Sequence, residues 1–121
     1  MAEHNIKGTK GEELAATFLK NNGYTILETN WRHKNLEADI IAVVKGVMVV
    51  AEVKTRSTNF FGDPETFVTK QKQRNLRSAA NAYINYKQLD LEVRFDVISV
   101  IMGKNEEQFT INHIEDAFLF G

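Results

Sequence analysis

No cysteine occurs in the 121 residues, which excludes disulfides, thiolate zinc sites and cysteine nucleophiles. Proline occurs once, as Pro64. It lies in the stretch STNFFGDP, residues 57–64, which reads as the one substantial loop rather than a linker between domains. No apolar run approaches the ~18 residues of a membrane-spanning helix. The opening stretch MAEHNIKGTKGEELAA lacks the apolar core of a secretion signal, so the expectation is a cytoplasmic protein with no membrane partner. Neither sign of charge dominates: 15 lysines and arginines stand against 16 aspartates and glutamates, a net charge of −1. Bulk charge therefore gives no support to nucleic-acid binding, and any such case rests on where the charges sit.

What is present suits one folded domain. Apolar residues make up 43% of the chain and charged residues 26%, enough for a real core and at odds with disorder. The length fits a single domain over residues 1–121, and no repeat or low-complexity segment interrupts it. Helical periodicity runs over residues 9–22 and stops at Gly23, a residue suited to the position just past a helix end. Residues 24–31 are rich in β-formers. Residues 38–44 and 47–55 are two apolar strands joined at Lys45-Gly46. Beyond the loop, residues 65–86 form a long amphipathic helix, residues 93–101 another strand, and residues 109–120 a last strand or short helix. This α-β-β-β-α-β order with one further element implies an α/β fold, a central mixed sheet flanked by helices.

The hairpin at Lys45-Gly46 allows its register to be worked out. If those two residues form the turn, Val44 pairs with Val47. The same register sets Asp39 directly opposite Glu52, with Cβ atoms about 4.5–5.5 Å apart. A slip of one residue would send the two carboxylates to opposite faces. Along the second strand Val50, Glu52, Lys54 and Arg56 share a face that passes from apolar to charged. Ionisable residues inside a covered strand are costly unless compensated, and facing carboxylates repel. Two readings are open: a salt-bridged cluster in which Lys54 neutralises Glu52, or a metal site. The spacing Asp-x₁₂-Glu-x-Lys fits the metal site better, since hard oxygen ligands suit Mg²⁺ or Mn²⁺ and the lysine is one pleat away, in reach of a water or phosphate.

The strings EADIIA (Glu37 to Ala42) and VVAEVKTR (Val49 to Arg56) resemble the motif core of the PD-(D/E)XK nuclease superfamily. More narrowly, the chain resembles the YraN-like family of small bacterial proteins, through KGEELA (Lys10 to Ala15), NWR (Asn30 to Arg32), FGDP (Phe61 to Pro64), Lys72 and RFD (Arg94 to Asp96). The likeness covers nearly the whole chain. It implies a restriction-endonuclease-like α-β-β-β-α-β core and kinship with archaeal Holliday junction resolvases. Two departures stand out. Ala38 occupies the place of the superfamily's proline, and Leu36-Glu37-Ala38-Asp39 replaces the family's usual Gly-Glu-Ile-Asp. The acids are kept.

Helical phase separates the adjacent Glu12 and Glu13. The stripe Gly11, Leu14, Ala15, Phe18 and Leu19 puts Glu12 at the rim of the buried face and Glu13 in water. The resemblance selects Glu12 as an additional active-site acid, whereas a first-turn glutamate is also what the helix dipole favours. In the second helix Lys72 projects onto the apolar stripe of Leu76, Ala79, Ala80, Tyr83 and Ile84, where it either snorkels past the core or faces the site, the role the resemblance implies. Lys70, Arg74 and Arg77, at i, i+4 and i+7, form one exposed basic line. It is either a solvated face or, with Lys54 and Arg56, a track for a phosphate backbone. Arg94 and Asp96 share a strand face and read as a structural ion pair. The histidines have no ligand spacing, and Trp31 reads as a packing cover.

The mechanism expected from this pattern is hydrolysis of a phosphodiester in nucleic acid, with DNA the expected substrate and branched or repair intermediates within its range. Asp39 and Glu52, with the Val53 carbonyl, would hold Mg²⁺ or Mn²⁺, and Glu12 would complete a second site. Lys54 and Lys72 would supply charge at the phosphate. The rival expectation is a nuclease-fold binding or scaffold protein that does not cut. A homodimer is compatible with either.

Overall fold

Ile40, Ile41, Val43 and Val44 before Lys45-Gly46, and Val47, Val49 and Val50 after it, are β-branched side chains that pack well on a pleated surface. In the computed structural model, which describes residues 3–57, 68–104 and 108–118, they form the centre of a five-stranded sheet. The strands are β1 (Thr25–His33), β2 (Leu36–Val44), β3 (Val47–Ser57), β4 (Glu92–Met102) and β5 (Phe109–Phe118), and the helices are α1 (Glu3–Asn21) and α2 (Lys70–Lys87). The strands lie in sequence order across the sheet. β1, β2 and β3 are antiparallel neighbours, β4 joins β3 in parallel after the α2 crossover, and β5 returns antiparallel. This is the α/β restriction-endonuclease-like core.

Each face of the sheet is covered by one helix. Ala15 and Leu19 of α1 pack with Ile40, Ala42, Ala51, Ile98 and Val100 on one side. Leu76, Ala80 and Tyr83 of α2 pack with Ala38, Ile41, Met48, Val50 and Phe95 on the other. Burying each of the larger apolar side chains contributes ~1.5–3 kcal/mol. α1 comes especially close to β3. A Cβ at Gly11 would collide with the side chain of Thr55, so only glycine lets the helix sit there.

Turns and caps account for the element boundaries. Lys45 (φ 49) and Gly46 (φ 78) both take left-handed backbone, the conformation that matches a two-residue turn to the twist of its strands. α1 ends where Gly23 (φ 89) lets its own N–H reach Lys20 O and the Tyr24 N–H reach Leu19 O, satisfying the last carbonyls. α1 begins at Glu3, earlier than residue 9, with no proline to stop it. α2 begins at Lys70, later than residue 65, because Thr69 is extended and its Oγ1 accepts the Lys72 N–H at 3.1 Å. The last element is a strand. Residues 58–64 of the expected loop, and residues 65–67, lie outside the described residues. The edge strands are irregular: β1 shifts register between Ile26 and Glu28 and has Asn30 at φ 52, while β5 has Asp116 at φ 55. Among the described residues no helix is long and apolar enough to cross a membrane.

Candidate metal centre

The β2–β3 ladder runs from Val44–Val47 to Ile40–Ala51 and stops there. Beyond that step β2 continues on β1 alone, with Ala38 against Trp31, and β3 continues on β4 alone, with Glu52 against Val97. The two strands therefore fork, and Asp39 and Glu52 are the first residues past the fork on each side. The register expected from the Lys45-Gly46 turn is the one observed. Asp39 Oδ2 accepts the Val53 N–H at 2.9 Å, which pins its carboxylate in the fork, and a hydrogen bond from Glu52 joins the two side chains.

Both groups are largely withdrawn from water; Glu52 is 8% exposed. Burial, and then the charge of Asp39, pushes the Glu52 carboxyl up to about 7, against the pull of Lys72 and Lys54. Asp39 is raised by its own burial, opposed by the Val53 N–H and the Glu52 hydrogen bond. Two carboxyls this close in a low-dielectric setting do not both ionise readily, so they hold a proton between them.

Cations approach from α2 and from β3. Lys72 Nζ lies 3.6 Å from Glu52 Oε2, so the lysine on the apolar stripe faces the carboxylates, as its helical phase allowed. Lys54 follows on the same face of β3 and acts electrostatically on Glu52. From the other side of the sheet, α1 brings Glu12. It is half-buried while Glu13 is exposed, and the close packing of Gly11 on Thr55 sets its height. Burial, then the charges of Asp39 and Glu37, raise the Glu12 carboxyl, while a hydrogen bond with Asn30 lowers it.

The donor set suits a hard divalent cation. Two largely buried carboxylates share a proton at the place where a doubly charged ion would relieve their repulsion. Among the described residues, however, no group of three or more Asp, Glu, His or Cys side chains comes together as a ready metal cage. Glu12 is thus near enough to feel the charge of Asp39 without joining the pair, and the remaining ligands would come from the Val53 carbonyl, water or substrate.

The chain matches the profile of "Uncharacterised protein family UPF0102" over residues 11–100. It belongs to that family. UPF0102 proteins of Flavobacterium johnsoniae (50% identical over 122 residues, 98% of both chains), Flavobacterium psychrophilum (49% over 118 residues, 98% of both chains) and Parabacteroides distasonis (47% over 118 residues, 98% of this chain and 96% of the relative) resemble it along nearly their whole length. The YraN-like resemblance seen in the sequence is this family. The relatives' names carry no activity.

The other expected residues are spread over this UPF0102 fold. Lys70 and Arg74 are exposed on α2, with Arg74 Nη2 donating to Gln71 Oε1 at 2.7 Å. Arg77 is half-buried, so the basic line is less uniform than helical phase predicts. Arg56 is half-buried on β3 and donates to Thr55 O at 2.9 Å. Asp96 lies on the α1 face of the sheet, opposite to the face on which Glu52 meets Lys72. Opposite Ala51 in the ladder, it is 1% exposed and takes hydrogen bonds from Arg94 (2.9 and 2.8 Å), His113 (2.7 Å) and the Asp116 N–H (2.9 Å). With Tyr24 and Glu115, Arg94 and His113 line a cavity of about 610 Å³ beside the Lys45 turn, at the other end of β3. The Arg94–Asp96 pair was legible from their shared strand face. His113 was not, because its contact depends on the irregular pairing of β5.

Proposed function

We propose that this UPF0102 protein is a Mg²⁺- or Mn²⁺-dependent nuclease that hydrolyses phosphodiesters in nucleic acid, DNA foremost. The observation that carries the reading is the Asp39–Glu52 pair in the strand fork, hydrogen-bonded, short of charge compensation and approached by two lysines. Asp39, Glu52 and the Val53 carbonyl would hold the cation, which when bound supplies the charge that draws in a phosphate and makes a water nucleophilic at neutral pH. The chain's own residues do the rest. The Val53 N–H keeps Asp39 oriented. Glu52 would hold the cation in its ionised form, its proton released to solvent, and Lys72, 3.6 Å away, favours that form. Lys54 neutralises charge that develops on the phosphate. Arg56, Lys70, Arg74 and Arg77 contribute phosphate contacts along β3 and α2.

The test is cleavage of labelled linear and branched DNA, and of RNA, with Mn²⁺, by wild type and Glu52→Gln. Wild type is expected to cut and the variant to lose cutting. A wild type that neither cuts any substrate nor binds Mn²⁺ would refute the reading. One that binds nucleic acid without cutting would favour the second reading, a nuclease-fold binding protein, which is supported by the lack, among the described residues, of a third acidic side chain at the pair.

A further inference from the structure

The β1–β2 hairpin is the part of the sheet that projects past the fork. Its outer pairs are Trp31–Ala38, Arg32–Glu37 and His33–Leu36, closed by Lys34 and Asn35, with Lys34 in left-handed backbone at φ 57. Asp39 directly follows Ala38. At ~3.3 Å per residue, the tip stands roughly 10–13 Å beyond the carboxylates.

Three rings make a column on the α2 side of this hairpin. Tyr83 meets Trp31 edge-on, centroids 5.1 Å apart at 88°, and His33 lies over Trp31 almost in parallel, 5.9 Å at 8°. The inner end is anchored: Tyr83 is 2% exposed, and Trp31 packs on the cluster containing Ala38 and Leu76. Ala38 adjoins Asp39, and Leu76 is one helical turn from Lys72, so the column stands beside the carboxylate pair. Its outer end is exposed at His33. A cation stands at that end: Lys34, at the turn directly after His33, is exposed. Arg32 projects from the opposite face of β1, where it makes a loose 3.8 Å pair with Glu37.

A flat π face beside a cation recognises a base whose own faces are free, with the cation on the neighbouring phosphate. A base inside a duplex is already stacked on both sides and has no face to offer. We infer that the hairpin tip seats one unpaired nucleotide, its base on His33 and its phosphate near Lys34, so that the substrate class of the site is nucleic acid with a single-stranded segment next to the scissile phosphate. This rests on the nuclease reading above and adds the substrate's form to it.

Trp31 is the sole tryptophan of the chain, so its fluorescence reports on the column directly. The whole protein, in EDTA to prevent cutting, is titrated with oligothymidine and with a blunt duplex, and cleavage with Mn²⁺ is measured on blunt and overhang-bearing duplexes. Oligothymidine is expected to quench Trp31 and to bind more tightly than the duplex, and the overhang substrate to be cut in preference. His33→Ala is expected to weaken oligothymidine binding by about tenfold with duplex binding unchanged, and His33→Tyr to restore it. If the protein cuts blunt duplex as well as overhangs while Trp31 stays unresponsive, or if His33→Ala binds oligothymidine like wild type, the inference fails and the nuclease reading stands. If nothing is cut and nothing binds, both fail together.

Discussion

Glu52 donates a hydrogen bond to Asp39 across the fork between β2 and β3, and that proton makes the pair pH-sensitive. The Glu52 carboxyl is raised from 4.5 to about 7. The folded protein therefore binds an extra proton between those values, and the associated stability, fully present below about 4.5, is lost as pH rises through about 7. Cation binding runs the other way, since a cation must displace the proton. Melting temperatures measured from pH 5 to 8 should show Mn²⁺ stabilisation growing with pH in wild type. Glu52→Gln keeps the shape and the hydrogen bond to Asp39. At pH 8 without metal it should be no less stable than wild type, by our expectation about 1 kcal/mol more stable, and it should gain nothing from Mn²⁺. Strong destabilisation of the metal-free variant, with no metal effect in wild type, would mark the cluster as a plain ion-pair network.

Lys54→Ala should keep Mn²⁺ and nucleic-acid binding while losing roughly 10²–10³-fold in cleavage rate, because its charge is needed at the reacting phosphate. Calorimetry and single-turnover cleavage check this together. Equal cutting by the variant would make Lys54 a structural residue.

Gly11→Ala places a methyl against Thr55. Moving α1 off β3 should cost about 1–3 kcal/mol and disturb Glu12, its neighbour. Denaturant unfolding of Gly11→Ala, and of Gly11→Ala with Thr55→Ala, tests the contact. The second substitution should recover part of the loss, and an additive further loss would place the cause elsewhere.

Asp96→Asn tests the buried knot on β4 opposite Ala51. Burial opposes ionisation of Asp96, yet hydrogen bonds from His113, Arg94 and Asp116 outweigh it and hold the carboxyl below its usual value. The stability it contributes is present above the unfolded value of 3.8 and is lost as pH falls through the lower folded value. At neutral pH the substitution should cost on the order of 3 kcal/mol, because Arg94 keeps its charge without its main partner. The difference from wild type should shrink in acid urea titrations. A pH-independent difference would deny the ionised role.

Sequence periodicity is informative wherever a partner lies close along the chain. The hairpin register follows from two turn residues and alternating apolar positions, and those alone set Asp39 opposite Glu52. Lys72 stands out as a cation on an apolar helical stripe. Contacts that depend on irregular backbone are not legible in this way. His33 reaches Trp31 just past the left-handed Asn30, and His113 meets Asp96 across a shifted ladder. The start of α2 departs from the amphipathic pattern because a threonine cap inside that pattern outweighs periodicity.

The irregularities of β1 and β5 also bear on self-association. Both strands are sheet edges, and an exposed edge invites another chain to add a strand. The register shift at Ile26–Glu28 and the left-handed residues Asn30 and Asp116 interrupt the straight row of donors and acceptors that such growth requires. Among the described residues the sheet therefore ends at five strands, with edges that resist the addition of a strand from a second copy.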